Sequence, residues 1–335
     1  MLAFHSTIQQ HNNTIPYKML KFKKLAFTIA ALATLFLSAC KTKTPQQAAS
    51  PAVGTQEKVD NVKSLLWEIS GKDLKKPSYL YGTIHIIPKQ DFFITDATQK
   101  AFDASQKVTF EINMKEMNNP MAMLSIMTKA MMPNGKKLKD LLKEEDYKLV
   151  QRKFDSLGLP LKMLERIKPM FLSVMMGTDG EKMSMENNAA NKSTSYEMEF
   201  MKMGETQKKA FDGLETVEFQ MGIFDSIPYE AQAEMLVKAI KSGGSGDSDL
   251  KKMVEMYKNQ DIEAMSKMLG SEEESDLAGY EKMLVINRNR NWIPLMAKSM
   301  REKTTFFAVG AGHLGGNLGV VNLLRKEGYN VKALK

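Results

Sequence analysis

Cysteine is almost absent: Cys40 is the only one in 335 residues. No disulfide can form within one chain, so the fold must be held by its core alone. Histidine is nearly as scarce, with four in all, of which only His85 and His313 lie beyond the N-terminal forty residues. His-Glu-x-x-His and Gly-x-Ser-x-Gly are both missing, which removes the zincin and α/β-hydrolase mechanisms. The N-terminal apolar run, Leu25 to Leu37, falls short of the roughly 20 residues that cross a bilayer as a permanent helix. The formal charge of +8 includes Lys18, Lys21, Lys23 and Lys24, all before Cys40, and drops to +4 without them. A charge that small on a chain this long gives no reason to expect nucleic acid.

What is present begins with an export signal. Lys21, Lys23 and Lys24 precede the apolar run, and Leu37-Ser38-Ala39-Cys40 closes it with small residues before the thiol. Basic, apolar, then small at the cut is the layout of a secretory signal. We read 1–18 as an extension ahead of the true start at Met19, 19–40 as a lipoprotein signal peptide, and Cys40 as the lipidation site. Residues 41–60, rich in Pro, Ala, Gln, Ser and Thr, read as a flexible tether. Residues 61–335 read as a single domain, anchored to a membrane outside the cytoplasm. Lys41 after the cysteine resembles the pattern of lipoproteins released to the outer membrane.

Short apolar runs at Ser64–Ile69, Ser78–Tyr81 and Lys107–Ile112 predict strands, with a weaker one at Phe211–Leu214. Thr304–Val309 and Asn330–Leu334 predict two more near the C-terminus. Between them the pattern is helical from about Asn113, with methionines at threes and fours, and helices are expected near 144–156, 161–177, 215–225, 228–241, 247–258, 260–269 and 277–301. The fold class is α/β: a mixed sheet built from both ends of the chain, with a large Met-rich helical insertion. The methionines read as core filler.

The two late histidines share one setting. Tyr79 to His85 and Phe306 to His313 each read as an apolar strand followed by Gly-x-x-His, with Gly82 and Gly310 at the strand exits. Histidines just past strand ends point into the crevice where α/β sheets bind ligands. Imidazole commonly ligates transition metals. Glu111, at the end of an apolar strand, and Glu215, after Gly213-Leu214, are candidate carboxylate partners. Arg288 and Arg290 stand in a stretch that reads as too polar to pack on a core, and either could face solvent or supply positive charge to an oxyanion. Gly310-x-Gly312-x-x-Gly315 matches a dinucleotide fingerprint, but the next strand, Tyr329 to Leu334, has no acidic residue for a ribose.

Taken in order, GTIH, FEIN, GLET, RNRNW and VGAGHLGGNLGVVNLLRKEGYNV resemble the TraB/PrgY/GumN family, which includes the Tiki membrane proteases. The likeness spans roughly residues 64–335. It implies a paired Gly-x-x-His site at His85 and His313, glutamates at Glu111 and Glu215, and an arginine at Arg288. It also implies a metal-dependent peptidase using manganese- or cobalt-like ions, with zinc as a further candidate. On that resemblance His85, His313, Glu111 and Glu215 would hold the ion, with Glu111, Glu215 and Arg288 as catalytic groups and a peptide or protein as substrate. More distant relatives bind haem, so a non-catalytic haem- or metal-binding envelope lipoprotein is the alternative.

Overall fold

The computed structural model describes residues 62–116, 119–177, 193–241, 246–270 and 279–335. The signal, Cys40 and the tether lie outside these. Among the described residues eight strands are formed: β1 (Leu66–Ser70), β2 (Ser78–Thr83), β3 (Ile87–Pro88), β4 (Lys107–Ile112), β5 (Ser193–Thr194), β6 (Ala210–Glu215), β7 (Thr305–Gly310) and β8 (Asn330–Leu334). Six build one mixed sheet in the order β6-β4-β7-β2-β1-β8. The α/β class and the contribution of both chain ends are as the sequence predicts.

Strands β6, β4, β7 and β2 run parallel to one another, while β1 is antiparallel to both β2 and β8. Every residue of β2, β4 and β7 is buried. Such strands, covered on both faces, read as near-continuous apolar runs, which is what Tyr79 to Tyr81 and Phe306 to Val309 supply. β6 lies at the edge of the sheet and is mostly exposed or half-buried. Aromatic rings fill the space beneath the sheet: Phe306 contacts Tyr81, Phe102 and Phe200 with centroids 4.9–5.9 Å apart.

The middle of the chain is helical, with two clusters of its own. Leu138, Val150, Phe154, Leu172 and Leu236 join helices Glu144–Ser156, Pro169–Gly177 and Tyr229–Lys241. Ile126, Phe171, Val217 and Phe224 link that layer to Ile112 at the end of β4. The helix expected over 161–177 is two helices, Leu161–Leu164 and Pro169–Gly177. Proline cannot donate inside a helix and so opens the second one. The methionines divide: Met132, Met170, Met296 and Met300 are core, whereas Met121 (69 %) and Met163 (82 %) are exposed. Among the described residues no helix is long and apolar enough to cross a membrane.

Three helices carry side chains into the site: α1 (Tyr196–Thr206), α2 (Val217–Ile223) and α3 (Asn287–Glu302). Ser195 caps α1 by accepting from the Met198 N–H, and Thr216 caps α2 from the Phe219 N–H. A π-helical turn, Lys282–Ile286, leads into α3.

Candidate functional site

The parallel register sets the site. Thr83 stands beside Gly310 and Glu215 beside Ile112, so four strands finish along one edge of the sheet. β2 leads to His85, β4 carries Glu111, β6 ends on Glu215, and β7 leads to His313. This is the carboxyl-end crevice where open α/β sheets place ligands. Gly82 has a packing reason: a Cβ there would lie 3.0 Å from the Ala311 Cα and Cβ. Its absence lets the two Gly-x-x-His loops meet. Gly315 likewise presses on the Ile262 carbonyl, where a Cβ would stand 2.4 Å from the oxygen. Close chain packing explains that glycine without a nucleotide.

Arg288 is the hub, and its place corrects the reading that its stretch is too polar to pack. It is 2 % exposed, in a buried stripe with Asn289, Trp292, Ile293, Met296 and Met300, while Arg290 faces solvent. Its Nη2 donates to Glu111 Oε2 at 2.5 Å and to Glu215 Oε2 at 2.9 Å, and its Nε donates to Glu215 Oε1 at 2.9 Å. Nη1 donates to the Leu284 carbonyl, in the π-helical turn, at 3.1 Å and lies 3.2 Å from His313 Nε2. π-Turns inside helices often mark functional sites, and this one offers a carbonyl to the hub.

The carboxylates are held on every side. Glu111 Oε1 accepts the Gly310 N–H at 2.8 Å, and Gln220 Nε2 donates to Glu111 Oε2 at 3.0 Å. Trp292 Nε1 donates to Glu215 Oε1 at 2.9 Å. Burial opposes ionisation of Glu111, but the charges of Arg288 and His85, with the Gly310 N–H adding, outweigh it and hold the carboxyl far below its usual range. Burial wins at Glu215, whose carboxyl is raised despite Arg288, with Glu111 adding to the rise.

Each histidine is oriented through Nδ1. Thr83 donates to Glu197 Oε1 at 2.6 Å, and His85 Nδ1 donates to the same oxygen at 2.9 Å. The β3–β5 ladder, with Ile87 opposite Thr194, ties the His85 loop to the start of α1, where Glu197 sits. Burial works against a charged His85, yet Glu197, aided by Glu111, raises it to about 9. Asn289 gives both N–H groups to carbonyls, those of His313 (3.2 Å) and Leu318 (2.9 Å). Its oxygen must therefore accept from His313 Nδ1, 2.7 Å away, which leaves Nε2 unprotonated. Burial, with Arg288 adding, lowers His313 to about 3, so the ring is neutral. Glu197, Asn289 and Gln220 were not singled out from sequence.

Among the described residues no group of three or more His, Cys, Asp or Glu side chains is arranged to hold a metal ion. The Arg288 guanidinium lies between Glu111 and Glu215 and bonds the oxygens a metal would need. The imidazoles nonetheless suit a divalent ion. His85 Nε2 and Glu197 Oε2 are buried without a hydrogen-bond partner. Both rings have Nδ1 anchored, as ligand histidines are held, and an ion would have to displace the proton from His85 Nε2 and the Arg288 N–H from His313 Nε2. Glu111 or Glu215 could join them only by giving up bonds from Arg288.

The TraB/PrgY/gumN family model matches residues 65–333. Metalloprotease TIKI1 of Danio rerio is 25 % identical over 346 residues, covering 88 % of this chain and 65 % of that protein. Metalloprotease TIKI1 of Homo sapiens is 25 % identical over 328 residues, covering 80 % of this chain and 61 % of that protein. A stretch of 95 residues, 26 % of this chain and 19 % of the relative, is 36 % identical to a Metalloprotease TIKI homolog of Amphimedon queenslandica. The chain thus spans under two thirds of the length of these relatives. No solved structure matches it. The family model covers every residue of the site and all of the sheet but Leu334, and on that match the chain belongs to the TraB/PrgY/gumN family.

Proposed function

We propose that this chain is a metal-dependent peptidase of the cell envelope, tethered at the outer membrane by a lipid on Cys40. The observation that carries the catalytic part is the orphaned Nε2 of His85, buried at the strand ends with its Nδ1 held by Glu197. The similarity to proteins named metalloproteases supports the same reading. His85 and His313 would hold the ion through Nε2, with Glu111 or Glu215 completing the set. A divalent ion there would supply Lewis acidity, polarising a carbonyl and bringing the pKa of water towards about 7.

The chain's own groups divide the remaining work. Glu215, raised by burial, is suited to accept a proton from the attacking water and pass it on, since a base works best with a pKa near the working pH. Arg288 would turn positive charge to a developing oxyanion with the N–H groups freed when a carboxylate moves to the ion. Glu111 keeps that guanidinium in place.

The test is metal analysis and an absorbance spectrum of the purified protein, followed by peptide hydrolysis with manganese, cobalt or zinc. Stoichiometric metal with cleavage lost in His313→Ala is the expected result. A Soret band without cleavage would transfer the chain to haem binding.

A further inference from the structure

We infer that an extended peptide docks as an added strand along the outer edge of β6, with one apolar side chain seated between Phe219 and Leu295. The inference rests on the peptidase reading for its occupant. It adds where and how the peptide lies.

Among the described residues β6 ends the sheet, with no strand beside its outer side. The register says which groups face outward. The Ala210 N–H donates to the Gln106 carbonyl on the β4 side. Alternation then turns the backbone N–H and C=O of Phe211, Gly213 and Glu215 away from β4. Gly213 confirms the direction, because its N–H is capped by its neighbour's Asp212 Oδ1 at 2.9 Å instead of by β4. Sheet edges template a further strand, and peptide recognition uses them this way, with an incoming carbonyl here replacing Asp212 Oδ1 on the Gly213 N–H.

The edge leads into the site. Its last residue is Glu215, held by Arg288. Beside that end opens a cavity of about 510 Å³, lined by Leu214, Phe219, Leu295, Glu116, Asp212 and Glu215 among others. Phe219 and Leu295, both in this lining, remain 46 % and 45 % exposed, so the cavity offers apolar surface to a side chain. The polar lining carries acids and amides, which favours a peptide without acidic residues. A strand laid on β6 would bring its backbone carbonyls to the Glu215–Arg288 end.

The probe is a fluorescein-labelled peptide of alternating threonine and leucine with lysine at each end, read by anisotropy on the full chain without added metal. N-methylation at every second position should weaken binding about tenfold, while the intervening positions tolerate it. Leu295→Asp should weaken it by a similar factor, and Arg290→Ala, on the same helix outside the cavity, should leave it unchanged. Equal effects at all N-methyl positions, indifference to Leu295→Asp, or no binding would each overturn the docking inference. Hydrolysis is scored separately with manganese. Cleavage without the alternation retires the edge and keeps the peptidase, and alternation without cleavage does the reverse.

Discussion

Arg288 grips Glu215 with two N–H groups, Nε to Oε1 and Nη2 to Oε2, each at 2.9 Å. The same Nη2 reaches Glu111, so one cation is shared between two buried carboxylates. Removing one partner of a buried pair leaves uncompensated charge. Arg288→Met should therefore destabilise the protein by about 3–5 kcal/mol in chemical denaturation. Arg288→Lys keeps the charge but loses the fork, and should fall between. If guanidinium and metal compete for the carboxylates, manganese should restore part of the Arg288→Met loss while shifting wild type less.

Glu197 touches only Thr83 and His85 among the polar groups named here, and its effect should pass through the imidazole. In Glu197→Gln the amide oxygen can still accept from His85 Nδ1, but the charge that raises the ring to about 9 is gone, so stability should fall near neutral pH and the difference from wild type should shrink as pH rises through 9. Metal affinity should fall about 10- to 100-fold, the usual cost of losing a supporting carboxylate. Calorimetric titration with manganese measures it, and an unchanged affinity would remove His85 from the ligand set.

Asn289 dictates the His313 tautomer. Nitrogen NMR of labelled protein should show Nδ1 protonated and Nε2 bare near neutral pH. The depressed pKa, about 3, means the ring stays neutral as pH falls through the range where a free histidine would charge. His85, raised to about 9, should give an imidazolium signal at mildly acidic pH, and a second one assigned to His313 would contradict that reading.

Cys40→Ser addresses the anchor. Metabolic labelling with a radioactive fatty acid should mark wild type and miss the variant, which should be found soluble or unprocessed. Equal labelling of both would end the lipoprotein reading.

The parts of this site that were legible from sequence are those with local signatures. A strand ending in Gly-x-x-His announces His85 and His313, and isolated acids on apolar strands announce Glu111 and Glu215. What is not local is pairing: nothing near Glu111 indicates that its partners are Gly310 and Arg288. Asn289 was within reach, because Asn289, Ile293, Met296 and Met300 recur at helical spacing on the buried stripe of α3. The run of asparagines and arginines obscured it. Glu197 had a weaker signal, since an acid in the first turn of a helix is ordinary. Only the burial of Tyr196 and Phe200 beside it hints that this end faces inward.

The central strand β7 also has a consequence for folding. Its neighbours β2 and β4 come from far earlier in the chain: the Ser78–Thr305 contact spans 227 positions and the Glu111–Gly310 bond 199. Such separations slow folding, because loop closure must precede the contacts that reward it. Until β7 inserts, β2 and β4 are bare edges, Glu111 lacks its amide, and the two histidine loops have no common wall. A partly folded chain is then inert as well as incomplete. Local opening of this one strand would switch the whole centre off at once, so hydrogen exchange at Phe307 and Val309 should track loss of activity more closely than exchange in the helical middle.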